Sequence, residues 1–249
     1  MILDVEKEVE NITKWVKKFV EEGNADGVVI GNSGGKDCAT VIAIAQKALG
    51  KERVLTVTLP CNSISADVED AQLIADAFEV PLWKNDLSKT YNEIVTAIEE
   101  KVTPKEKWRL DEARINTKPR LRMTTLYNIA QQLNYLVMGT GNLCEAIVGY
   151  TTKWGDNASD FNPLGEFTVE EVYQIARYLK VPQKIIQKAP NDGLGGLTDE
   201  EKLGVTYQQI TEYIETGKTD EHAMKVIMKK KKLSEHKRNP VPIYHRIKY

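Results

Sequence analysis

Residues 31–38, Gly31-Asn32-Ser33-Gly34-Gly35-Lys36-Asp37-Cys38, place three glycines, a hydroxyl, an ammonium and a carboxylate within one short segment. Such a run suits anion binding. Glycines let backbone N–H groups approach an anion with no Cβ in the way, and a helix beginning just beyond adds favourable partial charge. The segment is not a Walker A loop, G-x4-G-K-[ST]. Only three residues separate Gly31 from Gly35, and Asp37 stands where Ser or Thr would coordinate magnesium. Nor does it have G-x-G-x-x-G spacing. A carboxylate beside a phosphate cradle repels its ligand unless a divalent cation stands between them, so Asp37 points to Mg2+ bridging protein and phosphate oxygens. Read alone, the segment is equally a tight strand–helix turn, with Asp37 favouring the first helical turn.

The surrounding elements supply the context. Val5, Val9, Ile12, Trp15, Val16 and Phe19 recur at helical spacing, and Gly23-Asn24 makes a helix stop. Gly27–Ile30 is a short β-branched run leading into the loop, and residues 37–49 are helical. Val54–Leu59 predicts a second strand ended by Pro60, 65–78 a helix, and Val80–Trp83 a third strand. Tyr135–Met138 predicts a strand leading into a second glycine-rich turn, Gly139-Thr140-Gly141-Asn142. Residues 86–133 read as mostly helical, interrupted at Pro104 and Pro119. After a polar loop at 151–162 come helices near 168–179, 206–215 and 219–232, with 190–200 a glycine-rich flexible loop. Alternating short strands and amphipathic helices predict an α/β fold: a doubly wound parallel sheet with helices on both faces. Such sheets bind ligands beyond the carboxyl ends of their strands, where both glycine-rich turns fall.

Composition narrows the class. In 249 residues, 34 Lys+Arg stand against 36 Asp+Glu, a formal net charge of −2, with 28% charged and 41% hydrophobic residues. That usage is ordinary for a globular chain, and it gives no electrostatic case for nucleic acid. No apolar run approaches the roughly 18–20 residues that span a bilayer, and the acidic, amphipathic N-terminus is no signal peptide. Three cysteines, Cys38, Cys61 and Cys144, with no C-x-x-C pair, fit a reducing cytoplasm.

Ser33-Gly34-Gly35-Lys36-Asp37 resembles the S-G-G-x-D-[ST] loop of the ATP pyrophosphatases, with Cys38 in place of the usual hydroxyl. Four further segments resemble one branch of that group, the NAD synthetases. Asn116–Met123 is similar to their N-x-x-A-R-x-R-M, with Pro119 for the usual Ala. Gly139–Glu145 is similar to G-T-x-x-x-x-E, and Thr151–Asp160 to T-K-[FYW]-G-D-x-x-x-D. His236-Lys237-Arg238 matches an H-K-R near the C-terminus. The matches run in order across residues 31–238.

The resemblance implies an ammonia-dependent NAD synthetase: a ligase that adenylates deamido-NAD with ATP and amidates it with ammonia, releasing AMP and pyrophosphate. It assigns Gly31, Asn32, Ser33, Gly34, Gly35, Lys36, Asp37, Cys38, Thr140 and Asn191 to ATP. Deamido-NAD falls to Arg120, Lys153, Asp160, His236 and Lys237, and Mg2+ to Asp37 with Glu145. Cations suit an anionic dinucleotide, and two carboxylates on adjacent strand ends can hold one hard cation. No catalytic side chain is implied beyond positioning and the metal. Val169 stands where many relatives carry an ATP-contacting Lys, and Asn191 where they carry Ser or Thr. The resemblance also implies a homodimer whose substrate site lies at the subunit interface. Residues 1–249 are expected to be one NAD synthetase domain with no glutaminase domain, and 191–200 a lid over ATP. Each residue has a plainer reading alone: Arg120 as a solvated helix position, Thr140 as a strand end, Glu145 as a helix-surface acid, Lys153 and Asp160 as a surface ion pair. The rival functions are amidation of another acid and a non-catalytic nucleotide-binding module.

Overall fold

The structure, a computed structural model, describes residues 4–62, 65–188 and 198–246. The chain order is α1 (Val5–Glu22), β1 (Gly27–Gly31), α2 (Lys36–Leu49), β2 (Val54–Thr58), α3 (Ser65–Ala77), β3 (Leu82–Lys84), α4 (Ser88–Glu99), α5 (Lys107–Leu133) and β4 (Tyr135–Val137). Then follow α6 (Leu143–Val148), α7 (Val169–Tyr178), α8 (Gln183–Gln187), α9 (Asp199–Leu203), α10 (Tyr207–Thr216), α11 (Glu221–Leu233) and α12 (Glu235–Arg238).

The strands pair in parallel in the order β3-β2-β1-β4. The chain moves outward from β1 through β2 to β3, then returns to β4 on the other side of β1. The reversal of winding therefore falls between β1 and β4, with Val29 opposite Val137. Side-chain alternation along β1 divides the core. Val28 and Ile30 face α1, α2, α3 and α7, while Val29 faces α4 and α5 with Leu55, Val57 and Val137. A strand buried on both faces needs apolar residues at successive positions, which is why Val28-Val29-Ile30 shows no polar alternation. A third cluster, Cys144, Val148, Val169, Leu203, Tyr207, Ile210 and Ile227, packs α10 and α11 beneath α6. No described helix is long and apolar enough to cross a membrane.

Two expectations are corrected. Helix α5 runs unbroken through Pro119. Proline removes one intrahelical donor and normally kinks or stops a helix at a cost of about 3 kcal/mol. Here Pro119 is buried, and the 152–155 turn packs on it so closely that a Cβ on Gly155 would stand 3.1 Å from the proline Cβ. Tertiary packing outweighs the local preference. The interruption near Pro104 does occur, between α4 and α5. Residues 198–200, expected within a flexible loop, instead begin α9. Thr198 and Glu201 form a reciprocal capping box there. Asn191 and residues 191–197 of the expected lid lie outside the described residues.

A side chain at Gly27, where β1 begins, would place its Cβ 2.4 Å from the Arg53 carbonyl oxygen and 2.7 Å from the Tyr135 ring. Gly27→Ala is expected to separate β1 from its neighbours and lower unfolding free energy by about 1–3 kcal/mol. Urea denaturation followed by circular dichroism measures it, and an unchanged midpoint would refute the close-approach argument.

Candidate active site

The loop after β1 is held from behind by α3. Asn32 is buried. Its backbone N–H donates to the Val57 carbonyl at 2.9 Å and its side-chain amide to the Ala71 carbonyl at 2.9 Å. The Asn32 side-chain oxygen in turn accepts from the Gly34 N–H at 3.1 Å. Gly34 has φ +77°, and a Cβ there would stand 2.7 Å from the Asp67 carbonyl oxygen and 2.8 Å from the Asp70 Cβ. Only glycine satisfies both demands. Cys38 is buried in the first turn of α2 and donates its thiol to the Gly35 carbonyl at 3.0 Å, with the exposed Ser33 hydroxyl 3.4 Å from its sulfur. Burial pushes the thiol up, as it does for Cys61 and Cys144, so all three are packing residues rather than nucleophiles.

The turn after β4 meets this loop across the switch point. Gly139 is fixed by close approach, since a Cβ there would stand 2.6 Å from the Ser159 hydroxyl. Asn142 caps α6: its side-chain oxygen accepts from the Glu145 N–H at 3.1 Å, and Glu145 Oε2 accepts from the Asn142 N–H at 3.0 Å. The same Asn142 amide nitrogen reaches Asp37 Oδ1 at 3.5 Å. Asn142 therefore links the two carboxylates expected to hold a metal. Its motif position was legible, but its bridging role is not; the only clue is an Asn three residues before a Glu, a helix-start signature. Burial first and the Asp37 charge second push the Glu145 carboxyl well above the usual carboxylate range. Among the described residues there is no group of three or more His, Cys, Asp and Glu placed to hold a metal.

The residues expected at a dinucleotide gather at the far end of the same ridge. Arg120, exposed on α5, donates from Nε to the Lys153 carbonyl at 3.3 Å, and Lys153 Nζ donates to the His236 carbonyl at 2.7 Å. Arg120, Lys153 and His236 thus adjoin one another. Asp160 and Lys237 are engaged with backbone. Asp160 accepts from the Val137 N–H at 2.7 Å, finishing the end of β4, and from the Tyr127 hydroxyl at 3.3 Å. The Lys153–Asp160 ion pair of the plainer reading does not form among the described contacts. Lys237 Nζ donates to the carbonyls of Gly149 and Thr151 at 2.7 and 2.5 Å, and burial lowers its pKa. Arg238, given no role by its motif, donates to the Ala146 and Ile147 carbonyls at 2.9 and 3.2 Å, tying the end of α6 to α12. Val169 is buried against Cys144 in the apolar cluster beneath α6.

One charge network crosses the fold with no signal in residue spacing. Asp70, buried directly behind Gly34, pairs through Oδ1 with Lys184 at 2.7 Å and through Oδ2 with Lys188 at 2.8 Å. Lys188 also reaches Asp67 at 2.9 Å. Burial opposes ionisation of Asp70, but the two lysines outweigh it and hold the carboxyl below its usual range. The pairs neutralise acidic charge directly behind the glycine-rich loop.

A glycine-rich loop and an acid-bearing turn at the switch point of this parallel sheet define an α/β nucleotide-binding protein of the ATP-pyrophosphatase type. The family model described as NAD synthase matches residues 8–246. The chain belongs to the NAD synthase family. It is 41% identical over 239 residues to the NH(3)-dependent NAD(+) synthetase of Carboxydothermus hydrogenoformans, covering 96% of this chain and 97% of that relative. Among solved structures, it superposes on the NMN synthetase of Francisella tularensis with a TM-score of 0.91 at 29% identity, covering 98% of this chain and 100% of the other. The NH3-dependent NAD synthetase of Campylobacter jejuni superposes with a TM-score of 0.76 at 27% identity over the same shares.

Lys188→Met is expected to destabilise the fold by about 1–3 kcal/mol, because it strips a buried carboxylate of a partner. It should also raise the KM for ATP through the displaced α3. The double variant Asp70→Asn/Lys188→Met should lose less than the sum of the two single changes, since the buried carboxylate that Lys188 compensates is removed with it. A thermal-denaturation double-mutant cycle decides, and strict additivity would exclude the coupling.

Proposed function

We propose that this chain is an ammonia-dependent NAD synthetase, converting deamido-NAD to NAD with ATP as the activating co-substrate. The observation that carries the reading is the meeting of the 31–38 loop and the Thr140–Glu145 turn at the β1/β4 switch point, in a chain matched by the NAD synthase model over residues 8–246. A carboxylate is a poor acyl donor because oxide is its leaving group. Attack of a nicotinate oxygen on the α-phosphorus of ATP expels pyrophosphate and gives an acyl adenylate. Ammonia then adds to the activated carbonyl, and AMP leaves.

The chain's own residues position these reactants. Backbone N–H groups of the 31–38 loop and the Lys36 ammonium receive the pyrophosphate, and Thr140, in the turn after β4, contacts ATP. Asp37 and Glu145 fit a divalent cation such as Mg2+: two like charges linked by Asn142, one forced toward its protonated form by the other and by burial. Bound there, the cation neutralises charge on phosphate oxygens. Arg120, Lys153 and His236 offer the exposed surface to the anionic dinucleotide. Asp160 and Lys237 shape that surface through the backbone they hold. Holding two nucleotides in register supplies much of the acceleration.

The protein is further proposed to be a homodimer. Ile94, Ile98 and Val102 recur every four residues from α4 onward, and Trp108 and Ile115 stand seven apart on α5; all are exposed. Large apolar residues at such spacing form stripes that a second copy would cover. A second chemical reading, amidation of the mononucleotide acid rather than the dinucleotide, is favoured by the closer superposition on the Francisella NMN synthetase.

Incubation with ATP, Mg2+, ammonium and either deamido-NAD or nicotinate mononucleotide separates the readings. A larger kcat/KM for deamido-NAD is expected. The reverse order would establish the second reading, and a folded protein forming neither amide would exclude both. Asp37→Asn and Glu145→Gln should each lower kcat by about 10²-fold or more. In sedimentation, Ile98→Glu should shift a dimer toward monomer.

A further inference from the structure

Lys36 is an unusual residue for the place it occupies. It opens α2, at a helix N-terminus whose partial charge disfavours a cation, yet its side chain is 6% exposed. Buried ammonium groups persist only where an anion compensates them. Nζ lies 2.7 Å from Asp37 Oδ2 and 5.2 Å from the centre of the Tyr173 ring on α7. The ammonium is thus paired directly with one member of the acid pair. Asn142 approaches Asp37 from the α6 side through Oδ1, while Lys36 holds Oδ2.

We propose that Lys36 is a resident counter-cation of the Asp37–Glu145 pair, which makes divalent-metal binding depend on the nucleotide. The inference rests on the assignment of that pair to a metal. With no nucleotide, one ammonium offsets one of the two carboxylates, so a metal ion must displace Lys36 from Asp37 and meet its repulsion. An ammonium has three donors. When a nucleotide arrives, its phosphate oxygens accept from Lys36, which releases Asp37 and adds negative charge beside the pair. Metal and nucleotide then enter together. The device lies in the identity of one residue, Lys36, since an uncharged side chain at that position would leave the two carboxylates open to a metal at all times.

Manganese, read by electron paramagnetic resonance of the free ion, and Mg2+, read by calorimetry, test this directly on the full chain. Wild-type protein should bind either ion at least tenfold more tightly with a non-hydrolysable ATP analogue than without it. Lys36→Met should bind the ion at least tenfold more tightly than wild type when no nucleotide is present. Lys36→Arg, which keeps the charge, should behave as wild type. In thermal denaturation without nucleotide, Lys36→Met should gain stability on adding millimolar Mg2+ while wild type does not. Equal metal affinity of wild type and Lys36→Met without nucleotide overturns the proposal. Should Lys36→Met fail to fold, the wild-type comparison suffices: metal binding unchanged by the analogue overturns it. Absence of metal binding in every protein, even with the analogue, removes the metal assignment beneath it, a different failure.

Discussion

A Cβ at position 34 would stand 2.7 Å from the backbone oxygen of Asp67, and the backbone there has φ +77°. The glycine-rich loop at 31–38 is consequently pressed flat against α3, and much of the site follows from that contact. It forces Asn32 inward to satisfy both Gly34 and Ala71. It also puts the acidic turn of α3, with Asp67 and Asp70, just behind the glycine-rich loop. Lys184 and Lys188 of the α8 region balance that negative charge. A steric constraint at one glycine thereby accounts for an ion-pair network spanning more than a hundred residues of sequence.

The electrostatics at the front of the loop follow a similar logic with the opposite sign. Two carboxylates converge because β1 and β4 are neighbours, and each strand ends in a turn that begins a helix with an acid in its first turn. Acids are favourable at helix N-termini. Each is well placed on its own helix, and the tension arises only between them. Lys36 and Asn142 relieve part of that tension within the chain itself.

Much of this arrangement is legible before any coordinates. The β-branched runs at 28–30 and 54–58 and the glycine-rich turns at 31–35 and 139–141 announce a parallel sheet with two turns at its carboxyl edge, and the structure has both. Motif order identifies the family. What resists reading depends on tertiary contact. Pro119 reads as a helix break because nothing local shows the turn that packs on it. The backbone contacts of Asp160 and Lys237 are equally hidden, because residue type cannot show that a carboxylate caps β4 or that an ammonium faces the 149–151 backbone. Asp70, Lys184 and Lys188 carry no pattern, since surface-type residues on separate helices become partners only when the helices pack. Asn142 is visible as a motif letter, while its link to Asp37 depends on strand order.

The contacts of α12 have a consequence for the order in which the protein acquires its parts. Arg238 grips the carbonyls of Ala146 and Ile147, and Lys237 those of Gly149 and Thr151. The four strands and the glycine-rich loop all lie within residues 27–137, and Asp160 then closes the end of β4. The C-terminal end of the helix that carries Glu145, by contrast, is fastened by residues far later in the chain. During synthesis the strands therefore emerge well before the residues that tie down the end of α6. A product interrupted just before residue 237 would keep the glycine-rich loop and the Asn142–Glu145 cap, and would lack the clasp on the far end of that helix.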